Sequence, residues 1–156
     1  LPPSADNSSR WDIMRPLLAD ESLQVSADNI DSSREHFLEL LQIRSDVRLF
    51  RLQTGEQVQS MLNFHNMGEE EIPGLIVMSV TDEDDFDPQY ELVVTLLNSS
   101  PDEVTFTEEA LLGLGLELHP VLANSVDSVV QGASFDAETA TFTIPGRTAA
   151  VFVLAQ

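Results

Sequence analysis

The stretch GLIVMSVTDEDDFDPQYELVVTLLN, residues 74–98, decides how this chain is read. Two near-continuous apolar runs, GLIVMSV and YELVVTLLN, flank a run of carboxylates with no cation among them. Runs of this length, rich in Val, Leu and Ile, are the pattern of strands covered on both faces. Residues 74–80 and 90–98 are therefore expected as neighbouring strands near the middle of a sandwich, with the acids as a hydrated turn between them. Working outward, RLFRL (48–52) reads as a short strand, and QVQSMLNFHN (57–66) alternates Val58, Ser60, Leu62 and Phe64 before a turn at Asn66–Gly68. On the other side come EVTFT (103–107), LELHPV (116–121), ASFD (133–136), ATFTIP (140–145) and TAAVFVLA (148–155). Turn chemistry separates them: Ser-Ser-Pro-Asp at 99–102, Asp-Ala-Glu-Thr at 136–139 and Pro-Gly at 145–146. ALLGLGLEL (110–118) reads as a short helix running into a strand. Short strands at this spacing predict a mainly β fold, an antiparallel β-sandwich.

A helical segment precedes it. SADNIDSSREHFLELLQIRSD (26–46) reads as one long helix, with Ser26, Asp28 or Asn29 to cap it and Asp31 and Glu35 at its positive end. Ile30, Phe37, Leu41 and Arg44 share a face, and Leu38 and Leu40 widen it. Such a face is expected to pack on the strands that follow. Ahead of it, LPPSADNSSRWDIMRPLLADESLQ (1–24) holds turn formers and a short amphipathic piece interrupted by Pro16.

The 156 residues are enough for a real core, and a hydrophobic fraction of 42% is that of a globular chain. No apolar run approaches the roughly 20 residues that span a bilayer. No basic stretch leading into an apolar one marks a secretory leader. With no cysteine, disulfides and thiolate metal sites are excluded. The formal charge of −20 is distributed unevenly, and the chain has no lysine. Up to Arg51, six arginines meet nine acids; from Leu52 onward Arg147 alone meets 18. A surface of that sign repels phosphate backbones and anionic lipid, so neither nucleic acid nor a membrane is an expected partner.

The residues do not assemble a reactive centre by themselves. Asp82, Glu83, Asp84, Asp85 and Asp87 crowd six positions, and calcium takes six to eight oxygen ligands. The spacing lacks the alternation, central glycine and distal glutamate of an EF-hand, so a calcium site on Asp82, Asp84, Asp85 and Asp87 is the alternative to a solvated turn. His36, His65 and His119 stand far apart with no His-x-x-x-His pair. There is no Gly-x-Ser-x-Gly elbow and no phosphate-binding glycine loop. No cofactor is implied.

Four stretches nevertheless resemble one family: LPP…DN…W…MRPLLA (1–19), HFLELLQIRSDVRLFRL (36–52), FHNMGEEEIPGLIVMSV (64–80) and GLELHPVLANSVDSVVQGASFDAETATFTIPGRTAAVFV (115–153). Together they look like the C-terminal end of pullulanase-type α-1,6-glucosidases of the α-amylase superfamily, including plant limit dextrinases. The last is the most specific, with its Leu-His-Pro-Val, Ser-Phe-Asp and Ile-Pro-Gly-Arg-Thr in order. Two departures stand out: Ser45-Asp46-Val47-Arg48 replaces the family's Ser-Ser-Pro, and the loop at 82–89 is compact.

The resemblance implies that residues 1–45 are the last helical part of a (β/α)₈ catalytic barrel and that 47–156 form a C-terminal β-sandwich domain. It also implies that the catalytic carboxylates lie upstream, so that this chain alone is not an enzyme. The parent would hydrolyse α-1,6-glucosidic bonds of pullulan and branched α-glucans. The implied partners are the rest of that barrel and, only through the parent, a branched α-glucan. Asp6 and Asn7 are the candidate substrate-binding residues in that setting, equally explained as a turn that starts a helix. A bacterial parent would be extracellular or periplasmic. The alternative is a stand-alone α-glucan-binding or structural module, for which Trp11, Tyr90 and Phe86 are the candidate aromatics.

Overall fold

The computed structural model describes residues 1–69, 71–83 and 85–156. Two compact units, Leu1–Arg34 and Glu35–Gln156, are taken in turn. The first contains α1 (Ser4–Asn7), α2 (Trp11–Ala19) and the start of α3 (Ala27–Asp46). α2 continues through Pro16 to Ala19 rather than stopping there. The Trp11 indole N–H donates to the Pro2 carbonyl at 3.2 Å, and the Arg15 guanidinium lies 5.6 Å from the centre of the Trp11 ring. The Ser26 hydroxyl accepts from the Asn29 N–H, while the Asn29 side chain accepts from the Ser26 N–H, so two of the three expected capping residues of α3, Ser26 and Asn29, are used at once. No residue of this unit is buried.

In the second unit the rest of α3 leads into a 3₁₀ turn at Arg48–Arg51 and then α4 (Gly55–Met61). Both segments were expected as strands. The alternation of Val58, Ser60 and Leu62 is overridden by a capping box: the Thr54 hydroxyl accepts from the Gln57 N–H, and the Gln57 side-chain oxygen accepts from the Thr54 N–H. Only Leu62–Phe64 remains as β1.

Helices thus precede two antiparallel sheets. The larger has β1, β2 (Leu75–Thr81), β3 (Tyr90–Asn98), β8 (Thr148–Ala155) and β5 (Glu117–Leu118) side by side in that order. The smaller pairs β4 (Val104–Thr107), β7 (Thr141–Ile144) and β6 (Ser134–Asp136). α5 (Pro120–Ala123) follows β5 directly, and a 3₁₀ turn at Glu109–Leu111 precedes it, as ALLGLGLEL suggested.

Register assigns each strand two faces. Leu75 and Val77 of β2, Leu92, Val94 and Leu96 of β3, and Ala150 and Phe152 of β8 join Phe142 and Ile144 of β7 in one buried cluster. The rings of Phe142 and Phe152, one from each sheet, meet edge-on at 5.1 Å, a favourable aromatic geometry. Asn98 links the same two sheets by hydrogen bonds. Its side-chain amide donates to the carbonyls of Asp102, Pro145 and Ile144 at 2.9, 3.0 and 3.3 Å, and its oxygen accepts from the Ser100 N–H at 3.0 Å.

A second cluster lies on the opposite face of the larger sheet, where Ile43, Val47, Leu49 and Met61 cover Val80, Val93, Val151 and Val153. α3 is thus anchored through Ile43, with Leu40 packed alongside. The expected stripe is not what it buries: Phe37 is 60% exposed and Leu41 47%.

Candidate functional site

The acidic loop between β2 and β3 was the first candidate. Asp82 sits at the end of β2, where its carboxylate accepts from the N–H groups of Phe86 at 2.9 Å and Asp87 at 2.6 Å. Asp87 is buried, at 1% exposure, so the turn is not simply hydrated. One of its oxygens accepts from the Arg48 N–H, and the other accepts from Gln89 and Tyr90 N–H at 2.9 and 3.3 Å. Asp85 is exposed, with φ at +53°, a left-handed conformation that Asp tolerates better than most residues. Asp84 lies outside the described residues. Among the described residues no three His, Asp or Glu side chains are grouped to hold a metal ion. The two inner acids act as anion caps, neutralising backbone donors that the loop would otherwise leave unpaired.

Asp6 and Asn7 lie at the end of α1. Asp6 is exposed, and the Asn7 amide donates to the Pro3 carbonyl at 3.2 Å, the local bond of a helix-starting turn. Trp11, Tyr90 and Phe86 are each half-buried, and Trp11 belongs to the first unit while the other two belong to the second.

The histidines occupy three different environments. His119 is buried, and its Nδ1 accepts from the Val121 N–H, capping α5. Burial pushes its pKa down, opposed in part by the negative charge of Asp46. The neighbouring Tyr90 ring lies 5.8 Å away, and burial, then Asp46 and Asp87, push the Tyr90 hydroxyl pKa up. His36, on α3, has its Nδ1 3.6 Å from Glu39. Glu39 in turn accepts from the Ser125 hydroxyl at 2.7 Å and the Val126 N–H at 3.2 Å, tying α3 to the segment after α5.

His65 forms a constellation that sequence reading missed. Its Nε2 is 2.8 Å from the Ser79 hydroxyl, and its Nδ1 is 2.7 Å from Glu108. Fourteen and 43 residues separate the partners from His65, so no local motif could show it. The order serine, histidine, carboxylate is that of a proton relay. However, Ser79 is only 4% exposed on the inner face of β2, which leaves its oxygen no room to reach a substrate carbonyl. The trio works as a polar strut joining β2 to the start of the 3₁₀ turn at Glu109–Leu111.

The acidic surface also carries exposed apolar side chains. In the first unit Ile13, Leu17, Leu18 and Leu23 are more than half exposed; in the second, Phe37 and Leu41 on α3 and Phe64 and Ile76 on the sheet are prominent. No helix among the described residues is long and apolar enough to cross a membrane.

Comparison with known proteins gives this surface a context. A family model described as alpha-1,6-glucosidases, pullulanase-type, C-terminal, matches residues 1–155. The chain is 39% identical over 160 residues to pullulanase 1, chloroplastic, of Arabidopsis thaliana, covering 98% of this chain and 17% of that protein. It is 28% identical over 124 residues to a pullulanase of Klebsiella pneumoniae, covering 77% of this chain and 11% of that one. Crystalline apo pullulanase from Klebsiella pneumoniae has the same fold over 100% of this chain and 17% of its own, with a TM-score of 0.86 at 24% identity. The chain thus spans a small fraction of the length of the relatives it matches. It belongs to the pullulanase-type α-1,6-glucosidase family, as the C-terminal domain of that family.

Proposed function

We propose that this domain is the non-catalytic support of a starch- and glycogen-debranching glycoside hydrolase, in which residues 1–45 complete a catalytic (β/α)₈ barrel and residues 47–156 form a β-sandwich packed on it. The observation that carries the proposal is the uncovered apolar stripe of α3, with Phe37 at 60% and Leu41 at 47% exposure beside buried Ile43. Fully burying a Leu or Phe side chain stabilises by about 1.5–3 kcal/mol, so side chains that keep half their surface in water forgo a substantial part of that. A barrel neighbour supplies the missing cover. The first unit supports the same reading on its own terms, because 34 residues of helix and turn without one buried side chain have no core.

Retaining glycoside hydrolysis requires two carboxyl groups about 5–5.5 Å apart across the scissile bond. The acids placed most firmly here, Asp82 and Asp87, already accept backbone hydrogen bonds. In this reading the hydrolytic carboxylates belong to the larger remainder of the enzyme, which acts on α-1,6 bonds of pullulan and branched α-glucans. Asp6 and Asn7 contribute, at most, an edge of its substrate cleft. Purified 156-residue chain incubated with pullulan is expected to release no reducing sugar; release proportional to protein concentration would refute the assignment.

A further inference from the structure

The chain is short of cations, yet two of its seven arginines meet in one place. Arg48 and Arg51, on the 3₁₀ turn, line a cavity of about 160 Å³ together with Gln53 and Phe86. Two segments distant in sequence supply these walls, and both are fixed. The Arg48 N–H donates to the buried Asp87 carboxylate, one residue beyond Phe86, and the Phe86 N–H donates to Asp82 at 2.9 Å. The Arg51 guanidinium donates to the Ser45 carbonyl at 2.9 Å, and Phe86 packs against the cluster that holds Val47 and Leu49. Among the described residues neither guanidinium forms an ion pair, in a chain with 27 acids.

The chemistry of this cavity selects a neutral, hydroxyl-rich ligand. Two guanidiniums repel a cation. An anion is drawn to them but meets Asp87, whose carboxylate holds the Arg48 N–H, with Asp82 in the same loop and Asp46 two residues before Arg48. Charges nearer than the roughly 8 Å Debye length of physiological salt act almost unscreened, and the chain as a whole carries −20. A neutral polyol meets neither repulsion. Each guanidinium presents a planar set of N–H donors to hydroxyl oxygens, and the Gln53 amide can both donate and accept. The Phe86 ring offers an apolar wall to the C–H face of a sugar. The volume is about half the lower bound of roughly 300 Å³ usual for a drug-sized ligand, which suits one ring of a longer chain.

We propose that Arg48, Arg51, Gln53 and Phe86 form a sugar-binding subsite that holds one glucosyl ring of a neutral α-glucan chain. The identity of the sugar rests on the function proposed above, in which the enzyme acts on α-glucans; the preference for a neutral polyol rests on the cavity alone. The subsite gives Phe86, one of the aromatics named from the sequence, a set of hydrogen-bonding side chains beside it. A polymer offers the same ring many times. A hold on this domain therefore adds to any other contact the enzyme makes with the same chain, because linked contacts raise the effective concentration of each.

Hydrogen–deuterium exchange in the complete enzyme that carries this domain reads the site peptide by peptide. The probe is maltoheptaose, a linear α-1,4 chain with no α-1,6 bond to cut. At about ten times its Kd it should slow exchange by about tenfold in peptides spanning 48–53 and 86–90, wherever opening requires its release. The double variant Arg48→Ala, Gln53→Ala changes two exposed side chains and should remove that protection. No protection in the parent overturns the subsite, and so does protection that persists in the double variant. Inorganic sulfate in place of the sugar should protect neither peptide; protection by sulfate and not by maltoheptaose makes the cavity an anion site and overturns the proposal as well. Pullulan hydrolysis by the same preparation separates the two readings. Hydrolysis without sugar protection sinks the subsite alone, whereas no hydrolysis sinks the function proposed above, whatever the exchange shows.

Discussion

Replacing Asp87 by alanine should cost this domain about 3 kcal/mol, through the backbone rather than through any lost ligand. The carboxylate is 1% exposed and accepts three backbone N–H groups, from Arg48, Gln89 and Tyr90. A hydrogen bond to a charged group contributes about 1.5–3 kcal/mol net, and removing the acceptor leaves partly buried donors unpaired. The Arg48 bond and the 2.9 Å bond to Gln89 are counted near the low end of that range. The 3.3 Å bond to Tyr90, at the start of β3, is long and adds little. The total is a large share of the roughly 5–15 kcal/mol that holds a domain folded. At about 2–4 °C per kcal/mol for a chain of this size, the melting temperature should fall by about 6–12 °C. Asp87→Asn keeps one acceptor oxygen and turns the other position into a donor facing an N–H, so it should lie between alanine and the parent. The assay is urea unfolding followed by far-ultraviolet circular dichroism, with and without millimolar calcium. A loss below about 1 kcal/mol for Asp87→Ala would refute the capping account, and a melting point raised by calcium in the parent but not the variant would make Asp87 a metal ligand instead.

Three other outcomes are expected. Burial depresses the folded-state pKa of His119 below its unfolded value, so the unfolded chain binds more protons as pH falls. Stability should therefore be full above about pH 6.5 and decline as pH drops toward the folded value, and His119→Asn, which can still cap α5, should flatten that decline in pH-dependent urea titrations. Gly146→Ala would place a Cβ 2.2 Å from the Pro101 carbonyl oxygen, a clash with backbone that costs about 3 kcal/mol or more and should appear as a chain that unfolds at far lower urea. In the complete enzyme, Asp6→Ala should leave chain stability unchanged, since Asp6 is exposed; a raised KM on branched oligosaccharides would support a place at the cleft edge, and unchanged kinetics would remove it.

The strands that form the middle of the larger sheet were legible because continuous apolar runs mark strands with buried residues on both faces, as β2, β3 and β8 have, although Ile76 and Leu97 at one end of β2 and β3 remain exposed. The long helix was legible from its caps and spacing. Its orientation was not, because periodicity identifies apolar positions without saying what covers them: Ile43 is buried in the cluster on the sheet, and Phe37 and Leu41 stay largely exposed. Residues 48–61 failed for a local reason. The alternation of Val58, Ser60 and Leu62 mimics a strand, while Thr54 and Gln57, three residues apart, carry the stronger helix-start signal. The inner acids were misjudged as hydrated because a run of carboxylates looks alike whether it faces water or a backbone donor 39 residues away. The His65 strut and the pairing of Glu39 with Ser125 are likewise contacts between distant positions, which a single sequence does not display.

The position of β8 in the sheet has a consequence for how the second unit comes apart. Thr148–Ala155 lies between β3 and β5 and contributes Ala150 and Phe152 to one cluster and Val151 and Val153 to the other. Detaching β8 would bare the β3 edge and remove side chains from both clusters in one event. The two faces of the larger sheet are thereby coupled: neither cluster can lose this strand while the other keeps it, so both open together as one cooperative piece.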